Sequence, residues 1–417
     1  MEEFWLWVGI DLGSDSHQVC AIDAKRKILL ETTAEHSGKG LGELADRLLT
    51  LAQGRPERLA VAVESPRAAV VETLIERDIA VFSVNPKQLD RFRDRHSVGG
   101  AKDDRRDAYV LADSLRTDQP SFRRVKLSSS QLVQLREFSR LRDELMAERL
   151  ALANRLCDHL NRYFPEALQL GNIYDNRWIW SLLERASTPQ AARQLSLAKI
   201  RSVLQSHRVR NRTPEQVREI LRREALHVAP GVAQAFSQRV VMLLPRLRLV
   251  CEQLAQVDRE LDTLLEGLAG DEGKVEHRDV ALALSFPGIG TAVCAAMFGE
   301  AWQPLAERDY NTLAALCGTS PITKRSGKST VVQMRHACIP RLRDAVHHWA
   351  HNAVIQDDHA RAHYSALRSR GHQHARALRS VGGRLLEVLL AMLRTGRRYD
   401  AALRHRSCPE SPASPAA

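Results

Sequence analysis

Four carboxylates in the first 107 residues are the side chains of this sequence best suited to chemistry. Asp11 lies at the end of a first apolar run, Glu64 ends the run LAVAVE, and Asp104 and Asp107 begin an apolar-periodic stretch. Four carboxylates brought together at strand ends and a helix start suit two divalent cations, Mg²⁺ or Mn²⁺. Two such ions together stabilise the attacking and leaving oxygens of phosphoryl transfer.

A structural role explains only part of this acidic pattern. Asp103 is a good N-cap for a helix that begins at residue 104, and the helix dipole favours an anion at Asp104. Asp107 then lies three residues further on, on the same helix face as Asp104. Because two carboxylates at that spacing repel each other, we expect a cation between them.

The elements that must position these acids form an α/β domain. Three short β-rich runs, at 4–12, 17–23 and 27–33, predict an antiparallel meander. An amphipathic stretch follows at 40–53 and an apolar run at 59–64. A helix-like segment at 66–78 and a second apolar run at 79–84 come next. This alternation predicts a layered domain whose sheet is largely buried.

From about residue 129 the pattern becomes helical. A long amphipathic stretch covers 132–164, and a second carries apolar residues whose spacing alternates between three and four: Leu247, Val250, Leu254, Val257, Leu261, Leu264 and Leu268. This pattern fits a coiled-coil seam or a helical hairpin, with 166–237 as a smaller helical insertion. An ordinary buried helix and pairing between chains both remain open.

A third region begins with FPGIGTAV, where Gly288 and Gly290 precede a helix rich in small residues. Such glycines let a backbone approach phosphates closely, as in helix-hairpin-helix elements, although a plain turn between helices is equally compatible. Residues 405–417 are rich in Pro, Ser and Ala and predict a disordered tail. The stretch SGKST is not a P-loop, because that motif requires glycine where Ile322 stands.

Charge is distributed unevenly along the chain. Residues 1–120 contain 17 Lys and Arg against 21 Asp and Glu, whereas the remainder contains 44 against 29, which gives the net charge of +11. This basic excess predicts a nucleic-acid partner. The seven cysteines lack zinc-site spacing, and no apolar run reaches the length of a membrane span, so we expect a cytoplasmic protein with reduced cysteines.

Several stretches together resemble one protein family. VGIDLGSDSHQVCAID, VAVESP, VNPKQLDRFRDR and AKDDRRDAYVLAD resemble the RuvC-like DEDD transposases of bacterial insertion sequences, insertion-sequence family one-ten. The resemblance continues through NRLCDHLNRYFPEAL, FPGIGTAVCAAMFGE, SPITKRSGKST and LLEVLLAMLRTGRRYD, and so covers nearly the whole chain apart from the tail.

The resemblance implies an architecture and an activity. It implies an RNase H-like (RuvC-like) DEDD domain at 1–125, a helical coiled-coil region with an insertion at 126–275, and a C-terminal helical serine transposase domain at 276–404. The activity would be excision and insertion of a mobile element. The family's partners are DNA and a structured guide RNA encoded by the element. Its active assembly is a homo-oligomer, a dimer or tetramer, in which the acidic domain of one subunit works with the serine domain of another. The resemblance further implies that the protein acts in association with the bacterial nucleoid.

The resemblance also assigns residues. Asp11, Glu64, Asp104 and Asp107 would hold two metal ions, and Ser326 would attack the DNA phosphate as nucleophile, with Ser329 as a nearby rival. The residues expected to contact nucleic acid are Lys324, Arg325, Lys328, Arg335, Gly288 and Gly290. The sequence departs from the family in Cys338, where a glycine is usual, and in GTSP (318–321), where a GLTP-like turn is usual.

Three other functions use fewer of these features. A RuvC-like structure-selective nuclease would use the same acids to activate water and would not need Ser326. A non-catalytic nucleic-acid-binding scaffold would need neither. An actin-like ATPase would use GIDLGSDS as a phosphate loop but would leave Asp104, Asp107 and the basic region without a role. His347 and His351 lie one helical turn apart, but no third ligand with suitable spacing makes them a zinc site.

Overall fold

The computed structural model describes residues 4–66, 68–84, 89–92, 103–126, 129–270, 275–326 and 329–401. The chain divides into two units, Met1–Ser128 and Ser129–Ala417. Lys328 and the predicted tail at 405–417 lie outside the described residues.

The first unit is built on a six-stranded sheet. Its strands are β1 Leu6–Leu12, β2 Ser16–Ile22, β3 Ile28–Glu35, β4 Leu59–Val63, β5 Ala80–Ser83 and β6 Arg123–Arg124, in the order β3-β2-β1-β4-β5-β6. The first three strands form the predicted antiparallel meander, β4 and β5 continue the sheet in parallel from β1, and β6 is antiparallel to β5. The mixed α/β fold predicted for this region is therefore confirmed.

Helices cover both faces of this sheet. They are α1 Gly38–Leu51, α2 Ala69–Ile75 and α3 Asp104–Asp118, with short 3₁₀ turns at Pro56–Arg58 and Gln119–Ser121. On one face Val8, Ile10 and Val61 are buried in a cluster that includes Leu44 and Leu48 of α1. On the other face Ala60 and Ala62 pack with residues of α3. The alternation of side chains along each strand thus separates the two layers.

The described residues of the second unit are helical apart from one hairpin, short turns and connecting segments. Its helices are α4 Ser130–Tyr163, α5 Arg177–Arg185, α6 Pro189–Arg193, α7 Leu197–Ser206, α8 Pro214–Leu221, α9 Val232–Gly270, α10 Val275–Leu284, α11 Thr291–Ala306, α12 Tyr310–Leu316, α13 Pro340–Gln356, α14 Asp358–Ser369 and α15 His374–Thr395. A 3₁₀ helix spans Pro165–Leu170, and the hairpin consists of β7 Ile322–Ser326 and β8 Ser329–Gln333. One continuous core runs from Leu132 to Leu393. The border expected at 275–276 is not marked by a break in this core and stays a prediction.

The two long helices α4 and α9 form an antiparallel pair. Arg142 contacts Asp258, and the ring of His159 packs on that of Phe236. The later residue of α4 thus meets the earlier residue of α9, so the two helices run in opposite directions. The smaller helices α5 to α8 lie in the connection between them. The insertion predicted at 166–237 ends earlier than expected, because α9 already begins at Val232. The apolar seam of α9 is therefore buried within the chain.

One seam position differs from the sequence pattern. Leu265 is buried and Leu264 only half-buried, although the three-four alternation places Leu264 in the seam. A straight α-helix has 3.6 residues per turn, so a strict heptad drifts around it and the next residue takes over the buried position.

Among the described residues, no helix combines the length and the apolar character that crossing a bilayer requires.

Candidate active site

Asp11 and Glu64 occupy corresponding places on two neighbouring parallel strands. Ile10 of β1 pairs with Val63 of β4, and each acid is the next residue along its strand direction. Asp11 is opposite Gln18 of β2 in the antiparallel ladder. The carboxyl ends of β1 and β4 thus present both acids at one edge of the sheet, half-buried.

Helix α3 brings Asp107 to the same face. A Cβ atom at Gly9 would collide with the carbonyl oxygen of Ala108 and would lie 2.6 Å from the backbone nitrogen of Ala112, so α3 crosses β1 directly at this glycine. Asp11 follows Gly9 by two residues and therefore shares its face. Asp107 precedes Ala108 and is only 2% exposed.

The start of α3 is fixed by its own side chains. Asp103 is the N-cap and accepts a hydrogen bond from the backbone nitrogen of Arg105 at 3.2 Å, which confirms its predicted role. Arg105 makes an ion pair with Glu31 of β3. Asp104 is exposed in the first turn of the helix, one turn before Asp107.

The donor set at this corner suits a hard divalent cation, because it consists of carboxylate oxygens. Asp11, Glu64 and Asp107 share a sheet end and a face, and Asp104 lies one helical turn away. In the part of the chain that the structure describes, no three His, Cys, Asp or Glu side chains are arranged to hold one metal ion. Binding an ion here therefore requires these side chains to turn towards a common point.

Ser326 lies at the end of β7 and pairs with Ser329, the first residue of β8. Both serines are exposed, as are Lys324 and Arg325 on β7. Val331 and Val332 on β8 are also exposed, at 46% and 60%. A two-stranded hairpin with both faces in solvent is marginally stable by itself.

The base of the hairpin is more firmly held. Arg335 donates through Nε to the carbonyl oxygen of Ser320 at 3.2 Å. Gly318 has φ of 67°, and a Cβ there would be 3.1 Å from Sγ of Cys338. The two departures from the family pattern, at 338 and in 318–321, are thus in contact with each other.

Cys317 at this base is not a second nucleophile. Its side chain is buried, and this burial raises the pKa of its thiol to about 12. A thiol with so high a pKa stays protonated at neutral pH and reacts poorly. The exposed serine hydroxyls of the hairpin are better candidates for a nucleophile than this thiol.

The two glycines predicted to approach phosphates differ in their surroundings. A Cβ at Gly288 would be 3.0 Å from the backbone nitrogen of Ala353 and 3.1 Å from Trp349, so Gly288 packs closely on α13. Gly290, the N-cap of α11, has open space around it. A nucleic-acid contact at either glycine stays a prediction, and the structure leaves room for it at Gly290.

Comparison with known protein families shows to which family the chain belongs. A family profile described as a transposase, of the DEDD IS110 type, matches residues 8–165. A second, described as the transposase IS116/IS110/IS902 family, matches residues 280–365. A Streptomyces coelicolor protein named as the mini-circle putative transposase for IS117 is 30% identical over 95% of this chain and 95% of its own length. The chain belongs to the IS116/IS110/IS902 family of transposases.

Two further relatives of this transposase differ in the share of the chain that they match. A Sinorhizobium fredii protein named as the putative transposase y4uE is 40% identical over 55% of the chain, and the match spans 62% of that relative. An IS116 insertion-element protein of 44.8 kDa from Streptomyces clavuligerus is 27% identical over 95% of the chain and 96% of its own length. The family recognised from sequence motifs is therefore confirmed.

Sequence reasoning missed one residue that shapes the acidic corner of this transposase. Gly9 permits the contact between β1 and α3, which the choice of acids by charge alone does not reveal. A signal was present, because a glycine inside a strand often marks close approach of another backbone.

Proposed function

We propose that the chain excises and inserts its mobile element by attack of Ser326 on DNA phosphates, assisted by the acidic corner of Asp11, Glu64, Asp104 and Asp107. The observation that carries the proposal is the placement of three acids on one face in a member of this transposase family. Asp11 and Glu64 lie near the carboxyl ends of adjacent parallel strands, and Asp107 is held over the same face by α3. DEDD transposases generally use divalent metal ions, and the proposed ions are two Mg²⁺ or Mn²⁺.

The proposed chemistry conserves the energy of the broken bond. As Oγ of Ser326 attacks phosphorus, it loses its proton and forms a phosphoserine link, while the DNA oxygen leaves and is protonated. Attack by a DNA hydroxyl on this link reverses the step and releases the serine. Rejoining therefore needs no ATP.

The neighbouring residues have separate roles in this proposal. The exposed Lys324 and Arg325, together with Lys328 and Arg335, attract the scissile phosphate. The carboxylates would hold the metal ions, and these would stabilise negative charge on the phosphate oxygens.

Further parts of the proposal concern architecture and partners. The strand order β3-β2-β1-β4-β5 with a helix across β1 supports an RNase H-like domain. DNA is the partner that the family implies, and the basic excess after residue 120 supports a structured guide RNA as a second. We also propose a homo-oligomer that acts in the bacterial cytoplasm, at the nucleoid.

The test uses DNA with the ends of the element that encodes the chain, labelled at one terminus. With Mg²⁺, denaturing electrophoresis should reveal a protein-linked product whose attachment peptide contains Ser326. Ser326→Ala should remove cleavage and joining but not DNA binding, because a hydroxyl adds little to a contact dominated by cationic charge. Asp11→Asn and Asp107→Asn should each lower the yield of the adduct by about 10³-fold or more, and EDTA should abolish it.

Ser329→Ala is the matched control, because Ser329 pairs with Ser326 across the hairpin and is also exposed. It should keep the adduct. Undiminished cleavage by Ser326→Ala, without a protein-linked product, would establish the nuclease that uses water instead. Full cleavage in EDTA would refute the role of the acids.

A further inference from the structure

The helical insertion between α4 and α9 carries a groove that the transposase chemistry does not use. It has a volume of about 480 Å³ and lies between the start of α5 and the segment after α7. Its lining includes Arg177, Arg208, Arg210, Asn176 and Asn211. The groove thus presents three guanidinium groups and two amides.

The cations of this groove are not neutralised within the protein. Arg177, Arg208 and Arg210 are exposed, and among the residues that the structure describes none of the three has an ion-pair partner. Asp175, the acid in the lining, is engaged by Arg149. The groove therefore has a net positive charge.

The wall beside these cations is held in place by side-chain contacts. Nε2 of His207 lies 2.9 Å from Oγ of Ser181, and Arg248 of α9 donates to the same hydroxyl at 2.9 Å. Arg248 also pairs with Glu184 at 2.8 Å. The backbone nitrogen of Val209 donates to the carbonyl oxygen of Leu204 at 2.9 Å, which fixes the segment between the two exposed arginines. These contacts fix the wall of the groove.

The rest of the insertion has the same sign of charge. Residues 164–231 contain 11 Lys and Arg against 6 Asp and Glu. A cationic groove on a cationic module raises the local concentration of a polyanion and speeds its association. Planar guanidinium groups bind phosphate oxygens in pairs, and amides add hydrogen bonds.

We propose that this groove binds the phosphodiester backbone of a nucleic acid. The groove is open and its arginines alternate along an exposed segment, Arg208 and Arg210 with Val209 between them, which fits a polymer with repeated phosphates. The inference rests on the proposed function in one respect, since the polymer is the RNA or DNA with which the transposase works. It adds a surface that is distinct in sequence from the acidic corner and from the serine hairpin.

The test compares two variants of the full chain with equal net charge. Arg208→Gln/Arg210→Gln removes two cations from the groove, and Arg201→Gln/Arg222→Gln removes two exposed cations of the insertion that do not line it. Fluorescence anisotropy in EDTA measures binding to a labelled single-stranded RNA and, separately, to a labelled duplex DNA over a range of salt concentrations. Circular dichroism first establishes that both variants melt at the wild-type temperature.

The groove variant should bind about tenfold more weakly at 0.15 M salt, and the control should lose clearly less. The slope of log K against log salt should fall by about 1.8 for duplex DNA or about 1.4 for the single strand, as expected for two lost phosphate contacts. A loss for RNA alone, DNA alone or both identifies the source of the phosphodiester and supports the groove. Equal losses in the two variants, or none for either probe, overturn it. Because binding is measured without metal ions, absence of cleavage refutes the proposed function without touching this result.

Discussion

Gly9 is the point on which the geometry of the acidic corner depends. It lies in β1 beneath α3, two residues before Asp11, and its missing side chain leaves room for the backbone of Ala108. Any side chain at this position must push the helix away from the sheet. Asp107 is attached to that helix, so the distance between Asp107 and Asp11 would change with it.

We therefore predict that Gly9→Ala destabilises the first unit and lowers metal-dependent cleavage together. Overpacking of this kind costs about 1–3 kcal/mol. Gly42→Ala is the matched control, because a Cβ there would lie 3.7 Å from Arg77, an ordinary contact, inside helix α1. Alanine is the better helix former, so this control should be at least as stable as the wild type.

Thermal unfolding and the yield of the protein–DNA adduct measure the two effects. If Gly9→Ala matches the wild type in both, then α3 does not need the close approach and Gly9 does not position the acids.

At this scale the sequence predicted residue types better than their surroundings. The acids could be chosen because a charge at a strand end or in a first helical turn is a local property, and Asp103 as N-cap was confirmed. The pairing of Arg105 with Glu31, 74 residues apart in sequence, was not predicted. Contacts of that kind depend on how strands and helices pack, which no local pattern encodes.

At the scale of elements, a buried ionic cluster joins three helices of the second unit. The side chain of Glu300 on α11 is only 1% exposed. It accepts from Arg140 of α4 at 2.9 Å and from Arg341 of α13 at 2.7 Å. Arg341 also donates to Ser139 of α4 at 2.7 Å.

Removal of the buried charge should be costly, because Arg140 and Arg341 then keep only their more exposed partners, Glu137 and Asp143. We predict that Glu300→Gln lowers the free energy of unfolding of the second unit by about 1–3 kcal/mol. Glu137→Gln is the control: Glu137 pairs with the same Arg140 but is 53% exposed, so its loss should cost under about 1 kcal/mol.

Urea denaturation followed by circular dichroism gives both values. A Glu300→Gln variant within about 1 kcal/mol of the wild type would mean that the cluster does not hold these helices together.

The helices themselves were largely predictable, but the partner of their apolar faces was not. The heptad spacing of α9 fits a hairpin within the chain as well as a coiled coil between chains, since both bury the same residues. The contacts of Arg142 with Asp258 and of His159 with Phe236 show that α9 packs on α4 of the same chain. The two-residue strand β6 was missed because so short a segment carries no periodicity.

At the scale of the whole molecule, the two candidate catalytic parts lie in different units. The acids belong to the unit that ends at Ser128, and Ser326 belongs to the unit that follows. The seam of α9 is buried within the chain and does not provide the surface for self-association that the heptad pattern offered. An assay that distinguishes sites formed within one chain from sites formed between chains tests how these two parts act together.

Mixing two inactive variants is such an assay. Asp107→Asn retains the serine and Ser326→Ala retains the acids, and each alone should form almost no protein–DNA adduct. In a symmetric dimer whose sites combine the acids of one subunit with the serine of the other, half of the molecules in a random mixture are mixed dimers. Each mixed dimer has one site with intact acids and an intact serine, so about a quarter of all sites should recover activity. In a dimer whose sites form within one chain, every site lacks one group and the mixture stays inactive.

We predict recovery, with the adduct attached to the Asp107→Asn chain, which a mass tag on one variant identifies. Attachment to the Ser326→Ala chain, or no recovery after denaturation and joint refolding of the two variants, would contradict a site shared between subunits.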